Sequence, residues 1–480
     1  MSSNYRDQWA SVGGHFPTHW HFFKLEELLE NAKGIAVGVM YPGDHTAKGI
    51  PLIKVGDVKG GYIASQPSFF ISPEVDEEYK RTRLNGTELL ITLVGNPGDC
   101  VVVEPHMAGW NAARALAVVR LKDTNLREWL RYILLSKPAK HLIDARLNTT
   151  VQKTLNLKDI RELGIPIPPK HERDVITKII SAIEQKTIVN SDTNQTLEQM
   201  AQALFKSWFV DFEPVKAKIA ALEAGGSQEE STLAAMTAIS GKEADALVVF
   251  EREHPEQYAE LKATAELFPS VMQDSEMGAI PEGWALGTLS DIAIFANGKV
   301  DVSSLTPATY VSTENMLENR AGISSASSLP SVNSVPNFRR GHVLISNIRP
   351  YFKKIWLARF EGGRSADVLA FEARDSVTVE YIYNLLYQES FFDFMMLTSK
   401  GVKMPRGDKK AIMGWQCICP EKKISHAFSK AVGNYYSFIE SNHAQNKTLT
   451  QLRDTLLPKL LSGEITLPEA EQAVSEAENV

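Results

Sequence analysis

The sequence predicts an α+β fold: two globular blocks of mixed α/β structure, separated by two long helices that pair antiparallel as a coiled coil, in a pseudo-twofold internal repeat. Three observations carry this. The chain repeats itself, its opening returning after 264 residues and its helical stretch after 252. Each repeat ends in a long stretch of helical apolar spacing that follows a proline. The blocks ahead of these stretches mix strand-length and helical runs without βαβ alternation.

A chain of 480 residues, 44% apolar and 23% charged, exceeds one ordinary core and implies roughly two to four domains. The segments are expected at 1–165 (first block), 166–214 (first long helix) and 215–279 (acidic helical insertion or linker). The second block follows at 280–416, the second long helix at 417–465 and an acidic flexible tail at 466–480.

The first block opens on Phe16-Pro17-Thr18-His19-Trp20, followed by Leu25, Glu27 and Leu28. The second opens on Ile280-Pro281-Glu282-Gly283-Trp284, followed by Leu289, Asp291 and Ile292. Trp20 and Trp284 read as core anchors rather than base-stacking groups. Residues 89–94 and 100–104 read as strands around the Asn96-Pro97-Gly98 turn, 343–348 as a similar strand, and 126–135 and 379–387 as helices.

From Glu172 to Phe209 the chain holds neither Gly nor Pro, with Pro168-Pro169 before it and Pro214 after. The second copy follows Pro420 and stops at Ser462-Gly463. A rod of roughly 38 residues is about 57 Å long. In heptad phase the seams are Ile176, Ile183, Asn190, Leu197, Leu204 and Phe428, Tyr435, Asn442, Leu449, Leu456. Only antiparallel pairing sets midpoint against midpoint, so Asn190 and Asn442 are expected near each other as register-fixing amides.

The net charge is −7, and its distribution is uneven. Residues 1–165 carry 20 basic against 18 acidic side chains and 280–416 carry 15 against 13, whereas 166–279 carry 10 against 19 and 417–480 carry 6 against 8. Neither block alone can grip a polyanion strongly, because affinity grows with the phosphates neutralised. No apolar run approaches the roughly 18 residues of a membrane span, and the N-terminus has no secretory pattern. Three cysteines make no disulfide framework, and Cys417-Ile418-Cys419 has the wrong spacing for a zinc knuckle. A cytoplasmic protein with no metal site is expected.

Four stretches carry a family resemblance: LGIPIPPKHER at 163–173, ALFKSWFVDF at 203–212, IPEGW at 280–284 and TLLPKLLSGEI at 455–465. With the duplicated layout from Pro17 to Ile465, the chain resembles the specificity subunits of Type I restriction–modification systems. The resemblance implies that the blocks are target-recognition domains, each reading one half of a bipartite site on double-stranded DNA. It implies that the helices set the unread gap and dock two adenine methyltransferase subunits, with restriction/translocase subunits completing the nuclease. This chain would bind no cofactor itself; S-adenosylmethionine would belong to the methyltransferase and ATP with Mg²⁺ to the restriction subunit. The acidic, Ala/Glu-rich stretch 215–275, broken at Gly225-Gly226-Ser227, departs from a minimal spacer.

Base edges are read by Arg, Lys, Asn or Gln, while other basic and polar groups hold phosphates. In the second block the candidates are Arg339, Arg340, Asn347, Arg349, Tyr351, Lys353 and Lys354, then Lys400, Lys403, Arg406, Lys409 and Lys410. In the first they are Lys48, Lys54, Arg81, Arg83, Asn96, Asn111, Arg114 and Asn148. For any one of them the plain alternative is a solvated surface charge.

Two other classes stay open: a fragment of a single-chain restriction–modification enzyme, and a coiled-coil scaffold without DNA specificity. Against the first, Pro168-Pro169 lies between Ile167 and Lys170, not in an Asn/Asp-Pro-Pro-aromatic motif. Gly241-Lys242 is followed by Glu243 and lacks the upstream glycine of a P-loop. Against the second stand two blocks matched at their edges and divergent in sequence inside. No catalytic residue is assigned, and a non-catalytic recognition subunit is expected.

Overall fold

Proline precedes each long helix and a left-handed residue follows it, although the second helix also carries Gly433 and Pro458 within its length. In the computed structural model, which describes residues 2–59, 61–63, 67–147 and 153–478, the helices span Lys170–Phe209 and Lys422–Ser462. Phe212, at φ 54, turns the chain out of the first. Gly463, at φ 72, ends the second in the left-handed conformation that glycine adopts without a Cβ clash. The chain forms two compact units, Met1–Val189 with Gln445–Val480, and Asn190–Ala444. Each unit therefore holds half of each long helix.

In the first unit, strand His21–Lys24 pairs antiparallel with Gly164–Ile167, joining the entry of the block to its exit. An antiparallel sheet runs in the order Ile35–Val37, Leu116–Val119, Leu89–Thr92, Cys100–Val102. Beside it Ile50–Ile53 pairs in parallel with Asn111–Ala112. Helix Arg127–Leu135 buries Trp129, whose indole N–H donates to the Pro166 carbonyl at 2.8 Å. Trp9, Trp20 and Trp129 share one core with Ile176, Ile179, Ile180 and Ile183 of the first long helix and Leu449, Leu456, Leu460 and Leu461 of the second. Asn446 Nδ2 donates to the Thr187 carbonyl at 3.3 Å, and Arg453 lies 3.8 Å from Glu184. Residue numbers fall on one helix as they rise on the other, so the pair is antiparallel here.

The second unit repeats the main sheet and the helices of this frame under different side chains. Ala285–Thr288 pairs with Gln416–Cys419, and a second antiparallel sheet runs Ala293–Phe295, Val368–Ala373, Val343–Ser346, Ile355–Leu357. Tyr310–Val311 pairs in parallel with Gly362–Arg364. Helices Arg127–Leu135 and Val379–Tyr387, Leu157–Arg161 and Lys409–Met413, and the exit strands all start and stop 252 residues apart. The blocks share the four-stranded sheet, the parallel pair and these helices, while the smaller sheets differ: Phe70–Ile71, Ile50–Ile53, Asn111–Ala112 in the first against Lys299–Asp301, Ser334–Phe338, Gly362–Arg364, Tyr310–Val311 in the second. An aromatic core of Phe205, Trp208, Phe209, Phe428, Tyr381 and Trp284 locks both long helices to the domain, so Trp284, like Trp20, is a core residue.

The seam is corrected in one detail. Its ten residues are buried or half-buried, and Asn194 against Asn442 with Phe205 against Phe428, ring centroids 5.7 Å apart, shows antiparallel pairing in the second unit too. The Asn442 amide, however, donates to Asn194 Oδ1 at 2.8 Å, one turn on from the expected Asn190, which is itself 3% exposed. The acidic insertion forms four helices, Glu213–Glu223, Gln228–Ser240, Ala244–Glu253 and Pro255–Leu267, around Ala235, Met236, Leu247 and Ala265. Ser227 caps the second of them, and Glu260 pairs with Lys430 of the second long helix at 2.9 Å.

Candidate nucleic-acid interface

The two densest basic stretches of the second block meet in space. Past strand Val343–Ser346 the chain turns at Arg349, held at φ 50, into the bend bearing Tyr351, Lys353 and Lys354. Residues 400–410 lie against it: Ile348 bridges Arg406, and Arg349 N–H donates to the Pro405 carbonyl at 2.8 Å. Asp367 pairs with Arg406 at 2.8 Å and Asp408 with Lys400 at 2.6 Å. The Lys400 contact holds the Asp408 carboxyl below the ordinary range, and the same contact raises the ammonium. Arg349, Lys403, Lys409 and Lys410 are exposed without an ion pair among the described residues. This is an exposed edge with net positive charge.

The first block builds its edge at the same place. Val94 bridges Thr154 as Ile348 bridges Arg406. Leu93 accepts from Leu155 and donates to Ala115 as Asn347 does with Gly407 and Asp367. The Asn96 turn is thus the counterpart of the Arg349 bend. Asn96 is exposed, and Lys54 beside it sits 3.5 Å over the Phe69 ring. Lys48 and Arg114 are exposed. Asn148 lies outside the described residues.

Against this geometry stand the relatives. The family model described as "Type I restriction modification DNA specificity domain" matches residues 17–199. The specificity subunit of Type I restriction enzyme HindI from Haemophilus influenzae is 31% identical over 368 residues, covering 71% of this chain and 78% of that protein. The chain belongs to the family of Type I restriction enzyme specificity subunits. The specificity subunit of EcoBI from Escherichia coli is 30% identical over 170 residues, 35% of each chain. A solved Type I S subunit from M. genitalium aligns over 92% of this chain and 96% of its own, at 14% identity and a TM-score of 0.47.

Two predicted readers in this specificity subunit turn inward, and others are engaged by neighbouring groups. Asn111 is fully buried: its amide donates to Asp76 at 2.9 Å, and its carbonyl accepts from Thr82 at 2.8 Å. Asn347 is 2% exposed and donates to the Gly407 carbonyl at 3.2 Å, fixing the basic loop to the sheet. Neither can touch a base in this conformation. Arg340 grips Glu440 of the second long helix through two hydrogen bonds of 2.7 and 2.6 Å. Arg83 is held by Asp76 and Glu77, Lys353 by Glu389, and Lys354 by the Thr313 carbonyl at 2.8 Å. Arg81 reaches the Lys33 carbonyl at 3.4 Å, while Arg339 and Tyr351 remain exposed. The acids Asp367 and Asp408 were absent from the predicted site. Asp408 had a local signal, since it precedes Lys409-Lys410 as a helix cap; Asp367 had none.

Proposed function

We propose that this specificity subunit reads a bipartite sequence on double-stranded DNA, one half per globular domain, through the exposed edge beside the four-stranded sheet. The paired long helices fix the unread gap and dock two methyltransferase subunits. The observation that carries this reading is the shared edge: one backbone frame in both domains presents Asn96 in the first and Arg349 with Arg406 in the second. A constant frame with different tips is what two readers of different half-sites need. Repetition of the helix-bearing frame also offers like surfaces to two copies of one partner.

The subunit acts as a recognition component, in the cytoplasm, while chemistry belongs to its partners: S-adenosylmethionine with the methyltransferase, ATP and Mg²⁺ with the restriction/translocase subunits. Among the described residues no helix is long and apolar enough to cross a membrane. Weak basicity of each block makes closure of the partners around DNA part of the grip.

The test is co-expression with a methyltransferase subunit, followed by mapping of methylated adenines. A discrete split sequence, methylated only when this chain is present, is expected; methylation unchanged without it refutes the reading. Arg349→Ala and Arg406→Ala should weaken DNA binding and leave methyltransferase docking intact. Where a base edge is involved, discrimination falls by about 1–3 kcal/mol. Unchanged affinity and specificity in both variants would place the reading surface elsewhere.

A further inference from the structure

The loop at 400–406 is closed on itself by Lys400 N–H to the Arg406 carbonyl and Arg406 N–H to the Lys400 carbonyl, each 2.9 Å. It is tied down at four more points: Arg349 to Pro405, Gly407 N–H to the Asn347 carbonyl at 3.1 Å, Lys400 to Asp408, and Arg406 to Asp367. Gly401, at φ 96, makes the turn. At the tip of this fastened loop Val402 is 100% exposed, and Met404 is 54% exposed. Ordering a loop costs conformational entropy, and a branched aliphatic held in water returns none of it through burial. The surroundings say what covers it: Arg349, Lys403, Lys409 and Lys410 are cations without an acid partner among the described residues, so the complementary surface is a polyanion. The apolar group that duplex DNA offers at a base edge is the thymine C5 methyl, in the major groove. Valine is too short to act as a wedge between base steps, for which longer side chains are used.

We infer that Val402 is a specificity-determining residue that contacts the C5 methyl of a thymine in the second half-site, with the neighbouring Lys403 on a flanking phosphate. This rests on the reading that the second domain recognises DNA. It is tested with the complete complex of this chain and its methyltransferase subunits, bound to duplexes in which each thymine of the second half-site is replaced in turn by deoxyuridine. That base pairs identically and lacks only the methyl. One position should weaken binding by about 4- to 10-fold, the loss expected for a single buried methyl contact. In Val402→Ser the same replacement should have no effect, and the variant, altered at a fully exposed position, should fold and bind methyltransferase as before. Tolerance of deoxyuridine at every position, a half-site without thymine, or a penalty that persists in Val402→Ser overturns the inference while leaving the recognition reading standing. Scrambling the whole second half-site separates the two: binding indifferent to scrambling sinks the recognition reading itself.

Discussion

Arg131→Met tests how the first domain is fastened to the long helices. Arg131 is 4% and Glu184 9% exposed at the side chain, and the guanidinium engages both carboxylate oxygens of Glu184 while Nε donates to Glu128 at 2.8 Å. The Tyr132 hydroxyl also donates to Glu184, at 3.2 Å. Removing one partner of a buried pair strands the other charge and costs about 3–5 kcal/mol. Arg453 remains 3.8 Å from Glu184 and is only 34% exposed. With the tyrosine it softens the loss, so the lower end, about 3 kcal/mol, is expected. For a unit of this size that is about 6–12 °C in melting temperature. Thermal melts can be followed by tryptophan fluorescence, to which Trp20 and Trp129, rings 5.4 Å apart in that same core, contribute. Adding Glu184→Leu to Arg131→Met should restore most of the stability, because a buried pair is often replaceable by apolar groups. A single variant losing less than about 1 kcal/mol, or a double variant as unstable as the sum of its parts, would refute the assignment.

Burial keeps Glu198 protonated above the ordinary carboxylate range, against the hydrogen bond donated by Tyr383 at 2.5 Å. The folded state therefore binds a proton that the unfolded chain has released, and stability falls as pH rises from the ordinary carboxylate value through the raised one. Glu198→Gln should abolish that fall, so its advantage over the parent in denaturant melts widens as pH rises above the ordinary carboxylate value; parallel pH profiles would count against it. Asn442→Leu leaves Asn194 buried without its partner and should cost about 1–3 kcal/mol, whereas changing both to Leu should recover it in the same melts. Inserting one heptad into each long helix adds about 10.5 Å of rise, about three base pairs. Methylation mapping should show that much extra gap between unchanged half-sites; an altered half-site with the old gap would overturn the division of labour.

What the sequence made legible was set by local chemistry. The helix limits follow from Pro169, Pro420 and Gly463, and the seam from heptad spacing, since both act within a few residues. The shared interior topology was not legible, because Leu52 with Asn111 and Tyr310 with Gly363 pair across long stretches with no side chain in common. The burial of Asn111 and Asn347 was hidden for a similar reason. Asn111 and Asn347 have the amides that suit a base edge, yet burial decides their role, and burial comes from strands distant in the chain. Arg340 finds Glu440 exactly 100 residues on, beyond any local pattern.

The division of the long helices between the units also has a consequence for biosynthesis. The unit Asn190–Ala444 is one continuous segment, whereas its companion needs both the first 189 residues and the segment from Gln445 onward. On the ribosome the internal unit can finish first, leaving Trp9, Trp20 and Trp129 with an open apolar face until Leu449, Leu456 and Leu460 emerge. The amino-terminal domain is thus the last to close, and its exposed core is a natural substrate for chaperones in the interval.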